Sequence, residues 1–233
     1  MKKVTSYNIL LCSICLMQFG LIKKANAFSV ELFKSTSPIE SLSDADALIN
    51  GTNLESTSSG SYDIIDFRDV AYGTPWGHSD IDNFFPGTTG NPNVNNYAVL
   101  VTTTIEITTT DDWTFLTSGD DGVRLRIGGF DVITDDERHP TQDNLGTINL
   151  AVGEHDIELV LFENFGVGSL ELWAAQETQS TYNSNFQLVG DVANGGIEAD
   201  VPFDFSPSLG IVLCLGFWRL NQFNKTYKKI NSK

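Results

Sequence analysis

The chain has 233 residues with a formal net charge of −16 and three cysteines. Between Phe28 and Asp200 only Lys34, Arg68, Arg124, Arg126 and Arg138 are basic, against 29 Asp and Glu residues, and no cysteine occurs there. Such a surface is a poor match for nucleic acid, which needs a basic stripe, and the cysteine count excludes a disulfide framework, a thiolate metal site or a thiol nucleophile in that stretch.

At the N-terminus, Lys2 and Lys3 precede an apolar run from Ile9 to Ile22, followed by Ala25-Asn26-Ala27. A charged segment, an apolar segment and a small-x-small site predict a secretory signal peptide over 1–27, cleaved after Ala27. The Lys23-Lys24 pair leaves an uncleaved anchor as the alternative. Residues 28–61, rich in Ser, Thr, Asp and Gly from Ser35 on, read as a lead-in with a short helix at Asp44–Ile49.

Strands are predicted at Tyr62–Phe67, Tyr97–Ile107, Trp113–Thr117, Val123–Ile127, Asp131–Ile133, Gly146–Leu150, Asp156–Phe162, Ser169–Ala174 and Phe186–Val189. Many short strands separated by Gly, Asp and Asn turns predict an all-β protein, a sandwich or barrel. In Asp156–Phe162 the residues Ile157, Leu159 and Leu161 alternate with a mixed face, as in a central strand covered on both sides. The stretch Gly73–Asn96 breaks this rhythm, and a loop of that length is functional or disordered. Its aromatics Trp76, Phe84 and Phe85 argue for packing or a binding platform. It either shapes a site or covers a sheet edge.

The most informative run is Ser118-Gly119-Asp120-Asp121-Gly122-Val123-Arg124-Leu125-Arg126-Ile127. Val123, Leu125 and Ile127 share one strand face, and two adjacent carboxylates sit in the turn before it. Spacing alone permits either a type I′ hairpin turn or an oxygen cluster for a hard cation such as calcium. Other acidic groups carry less. Asp111-Asp112 reads as a solvated turn, and Asp135-Asp136-Glu137 as part of a hairpin loop beside Arg138. His78-Ser79-Asp80-Ile81-Asp82 offers alternate side chains to a cation or ligand but lacks the glycine and terminal glutamate of an EF-hand loop. His139 and His155 are isolated.

From Asp63 to Ala175 the chain resembles the protective-antigen fourteen-kilodalton domain, a lectin-like antiparallel β-sandwich found in toxins, glycosidases and yeast adhesins. The resemblance rests on Trp113–Thr117 leading into Ser118–Leu125, on Gly128–Ile133, on Leu150–Ile157, on Phe162-Glu163-Asn164 and on Ser169–Trp173. It implies a jelly-roll-like sandwich over 62–178 and, after it, a linker or last strand at 179–200. It also implies a calcium ion held by Asp120 and Asp121, joined by a cis peptide, and by Asn164, with carbonyls from Gly166 and Gly168. In that arrangement the ion takes sugar hydroxyls, so the implied partner is a carbohydrate. Sugar-contacting side chains are not assigned by the resemblance; Trp76, His78, Asp80, Asp82 and Phe165 are the candidates.

No serine elbow, P-loop, dinucleotide fingerprint or HExxH motif is present, so a binding protein is expected rather than an enzyme. The alternative is a structural envelope or matrix protein with the same fold and no sugar. At the C-terminus, residues 201–233 run through Pro202-Phe203-Asp204-Phe205-Ser206-Pro207 and an apolar stretch to Arg219 and four lysines. An apolar segment with a basic tail predicts a short membrane-spanning stop. This tail resembles a cyanobacterial-type variant of the PEP-CTERM sorting signals of Gram-negative bacteria. That resemblance implies an exosortase-type processing enzyme as partner, a membrane contact through the segment, and export to the cell surface or an exopolysaccharide matrix.

Overall fold

The computed structural model describes residues 28–69, 77–81, 83–88 and 94–200. Both terminal signals read from the sequence, with the Ala27 cleavage site, lie outside the described residues, as do Trp76 and Asp82. Among the described residues no helix is long and apolar enough to cross a membrane.

The chain forms strands β1 (Phe28–Ser35), β2 (Leu54–Tyr62), β3 (Asp66–Arg68), β4 (Asn83–Phe84), β5 (Tyr97–Ile107), β6 (Asp111–Asp120) and β7 (Val123–Ile127). Then come β8 (Phe130–Asp135), β9 (Gln142–Leu150), β10 (Gly153–Glu163), β11 (Ser169–Gln176), β12 (Gln187–Leu188) and β13 (Glu198–Asp200), with helix α1 (Leu42–Ile49) between β1 and β2. They make a two-sheet β-sandwich. One sheet runs β2-β1-β5-β10-β7-β8, with β13 pairing β5; the other runs β4-β3-β11-β6-β9, with β12 pairing β11. Among the described strands all pairs are antiparallel except β3 with β4.

Alternation builds the core. Val99, Val101, Leu125, Leu159 and Leu161 of the first sheet meet Phe67, Phe115, Leu170 and Leu172 of the second. The opposite face of the first sheet is not left bare. Phe33, Ala98, Val160 and Phe162 are covered by Leu42, Ala45 and Leu48 of α1, which explains the mixed outer face of β10. Ser41 caps this helix by accepting the Asp44 N–H at 3.2 Å. Arg124 forks onto both carboxylate oxygens of Asp46 at 2.9 and 2.7 Å, tying helix to sheet.

The structure corrects several sequence expectations. The Ser/Thr-rich stretch is not a lead-in: β1 and β2 pair along their length and belong to the first sheet. Its hydroxyl-rich residues hide this because β2 is a mostly exposed edge strand, held by its backbone ladder rather than by apolar contacts. Tyr62–Phe67 is not one strand, since Tyr62 ends β2 in one sheet and Asp66 begins β3 in the other. Asp111-Asp112 opens β6 instead of forming a turn. The residues after 178 include β12 and β13, so they complete both sheets. In the long loop, β4 lies on the edge of the second sheet and Phe85 stacks on Phe67 with ring centroids 5.2 Å apart. The described part of that loop covers a sheet edge.

Candidate metal centre and cleft

The two aspartates do not form a hairpin turn. Asp120 ends β6 in the second sheet and Val123 begins β7 in the first, so Asp121-Gly122 is the crossover between sheets. The actual hairpin lies one strand later, where Gly128 and Gly129 adopt positive φ values of 57° and 83° between Ile127 and Phe130. At the crossover the Asp120–Asp121 peptide bond is cis. The Asp121 N–H donates to the Phe162 carbonyl at 3.2 Å and the Phe162 N–H to the Gly122 carbonyl at 3.0 Å, which locks the crossover to the end of β10. Gly122 is required there, because a Cβ would come within 2.4 Å of the Phe162 ring.

Two loops grip the Asp121 carboxylate. The Asn164 N–H donates to Oδ2 at 2.9 Å and the His139 N–H to Oδ1 at 3.0 Å. His139 Nε2 in turn lies 3.0 Å from an oxygen of Asp135. These contacts bring the segment before β9 and the segment after β10 to one point.

A third carboxylate joins them. Glu163 ends β10 with 0 % of its surface exposed, and among the described residues no donor group reaches either of its carboxylate oxygens. Oxygens from Asp120, Asp121 and Glu163 lie within 4.8 Å of one another. Oxygens bound to one calcium at 2.3–2.6 Å can be at most about 5 Å apart, so this spacing fits a single ion. An acid buried without a donor is otherwise costly, and the donor set is all oxygen, as a hard cation requires. The residues present therefore fit calcium.

The electrostatics show the same crowding. Burial, then the Asp121, Asp120 and Asp69 charges, push the Glu163 carboxyl up to about 9. Burial and the Asp121 charge push Asp120 up to about 7, and burial raises Asp69 to about 6. Asp69 accepts from the Tyr97 hydroxyl at 3.1 Å, and that phenol is raised well above its usual value by its own burial and by Asp69.

Sequence reasoning missed Glu163 as a candidate ligand. The signal was available: Ile157, Leu159 and Leu161 point into the core, and Glu163 continues that same alternation. Of the residues expected at the site, Asp120, Asp121, Asn164 and Gly166 line one cleft of about 690 Å³ together with Arg138, His139, Pro140, Phe165 and Val167. The Asn164 side chain is engaged on both sides, its Oδ1 accepting from Arg138 at 3.1 Å and its Nδ2 donating to the Ile39 carbonyl at 2.8 Å. Gly168 is not in the cleft lining. Its carbonyl accepts the Asp69 N–H at 3.1 Å, and its Cα packs so closely that a Cβ would lie 1.9 Å from the Tyr97 hydroxyl oxygen.

Among the candidate ligand residues, Phe165 stands in the cleft with 79 % of its surface exposed. His78 and Asp80 do not line it. His78 stacks on Tyr182 with ring centroids 3.6 Å apart and pairs with Asp143 at 2.9 Å. That is a packing role on the outer face of the second sheet, where the Glu171 carboxylate also receives the His78 and Ser79 N–H groups.

No protein-family model matches this sequence, and no curated protein does. Solved structures do. A PA14 sugar-binding domain from an RTX adhesin superposes with a TM-score of 0.53 at 16 % identity, covering 76 % of this chain and 99 % of that one. The PA14 domain of the antifreeze protein MpAFP superposes at 0.52 and 17 % identity, covering 70 % of this chain and 89 % of that one. The fold is that of a PA14 domain. A third neighbour, the epithelial adhesin 6 A domain of Candida glabrata in complex with Galβ1-3GlcNAc, aligns at 17 % identity over 79 % of this chain and 96 % of that one, with a TM-score of 0.45.

Proposed function

We propose that this protein is a calcium-dependent carbohydrate-binding module, without catalytic activity, that acts at the cell surface or in an exopolysaccharide matrix. The observation that carries the reading is Glu163: a fully buried carboxylate that no donor reaches among the described residues, converging with Asp120 and Asp121, which line an open cleft. Asp120, Asp121 and Glu163 would hold the ion, with the loop of Asn164 and Gly166 beside it. Calcium accepts six to eight oxygens in flexible geometry, and sugar hydroxyls are neutral oxygens suited to positions the protein leaves open. The exposed Phe165 ring at the rim would cover an apolar sugar face.

The PA14 neighbour from an RTX adhesin, described as sugar-binding, supports this reading. Export and surface retention by an exosortase-type enzyme, with the membrane contact, rest on the two terminal signals in the sequence. Titration calorimetry against a glycan panel, with calcium and then with chelator, tests the core of the proposal. Binding that needs calcium and is lost in Asp121→Asn is the expected result. Glycan binding that survives chelation would remove calcium from the mechanism, and a full-length protein that takes up no calcium at millimolar concentration would end the proposal.

A further inference from the structure

Arg138 is unlike the other basic side chains whose carboxylate partners are on view. Lys34 pairs with Glu55 at 3.0 Å, Arg124 with Asp46 at 2.7 Å, and Arg126 with Asp131 at 2.6 Å and Glu158 at 3.0 Å. Arg138 instead stands in the wall of the cleft with its side chain 53 % exposed. Its hydrogen bond among the described residues goes to a neutral amide, Asn164 Oδ1, and its carboxylate neighbour, Glu40, lies at 3.9 Å. A guanidinium carries five N–H donors in a planar fork shaped for a carboxylate. In a stretch with five basic residues against 29 acids, placing one of them at the binding cleft is chemically specific.

We propose that the cleft selects a carboxylate-bearing sugar, a uronic acid residue, with Arg138 receiving the sugar carboxylate while the neighbouring hydroxyls face the acidic floor. This rests on the calcium-dependent sugar-binding reading above. The Asp120 and Asp121 carboxylates, both in the cleft lining, would repel an anionic ligand, so acid recognition requires the divalent ion, which offsets two carboxylate charges. Phe165, on the loop that also carries Asn164, supplies the apolar contact that a charged sugar still presents along its ring.

The test compares matched pairs of methyl glycosides: glucuronide with glucoside, galacturonide with galactoside, mannuronide with mannoside. Each is titrated into full-length protein at millimolar calcium, and the readout is the ratio of affinities within a pair. One charge-assisted bond to a half-exposed arginine predicts a ratio of roughly five to ten in favour of the acid for the configuration the cleft accepts. Arg138→Gln should bring that ratio to about one, and Arg138→Lys should restore part of it, since the charge is kept and the fork is lost. The ratio cancels any change in folding or calcium loading. An arginine that only positions Asn164 would weaken both members alike and leave the ratio as it was, which would overturn the inference. Neutral sugars binding as well as their acids in every pair would overturn it too, while leaving the lectin reading intact. If no member of any pair binds in calcium, both readings fall.

Discussion

Replacing Glu163 by glutamine should make the metal-free protein more stable at alkaline pH, against the usual result of changing a buried residue. In the folded chain burial and three neighbouring carboxylates lift Glu163 from 4.5 to about 9. The folded state therefore holds a proton that the unfolded state releases, and stability falls as pH rises across that window. At 1.36 kcal/mol per pH unit, the loss from Glu163 between pH 5 and pH 8 has an upper bound of about 4 kcal/mol. That is a large fraction of the roughly 5–15 kcal/mol of a typical domain, and corresponds to a drop of about 10 °C in Tm. Asp120 and Asp69, raised to about 7 and about 6, add a loss of the same sign.

Glutamine carries no titratable proton, so the variant should match the wild type near pH 5 and exceed it at pH 8. Thermal unfolding in chelator across pH 5–8 measures this directly. Calcium should then raise the Tm of the wild type more than that of the variant, because the ion relieves the charge that glutamine no longer has. Parallel pH profiles for the two proteins, or a lower Tm of Glu163→Gln at pH 8, would refute the claim that this acid is buried among like charges.

Two further expectations concern what supports the site. Gly168→Ala would place a Cβ 1.9 Å from the Tyr97 hydroxyl oxygen, so it should cost about 1–3 kcal/mol in denaturant unfolding and weaken calcium binding by displacing the Tyr97–Asp69 pair. Glu171→Ala removes the acceptor of the His78, Ser79 and Trp173 N–H groups. It should speed hydrogen exchange in residues 77–81 while the exchange of Asp121 and Asn164 amides stays as it was, since that contact lies outside the cleft.

Alternation and turn chemistry made much of this molecule readable in one dimension. Tyr97–Ile107 and Val123–Ile127 have the bounds that their apolar period predicts, because each strand's inward face is a local pattern. The acidic pair was equally visible, since Asp120 and Asp121 are neighbours in sequence. What local pattern could not supply was which sheet each strand joins. Only the folded chain turns Asp121-Gly122 into a crossover rather than a hairpin, and only the pairing of β10 with β5 and β7 carries Glu163 beneath it. The edge strand β2 was hidden for a related reason: its stability comes from a backbone ladder to β1, which leaves no apolar signature. Arg138 likewise has no motif. Its place beside Asn164 follows from the segment before β9 folding over the end of β10, and long-range contacts of that kind are set by packing, not by the residues on either side.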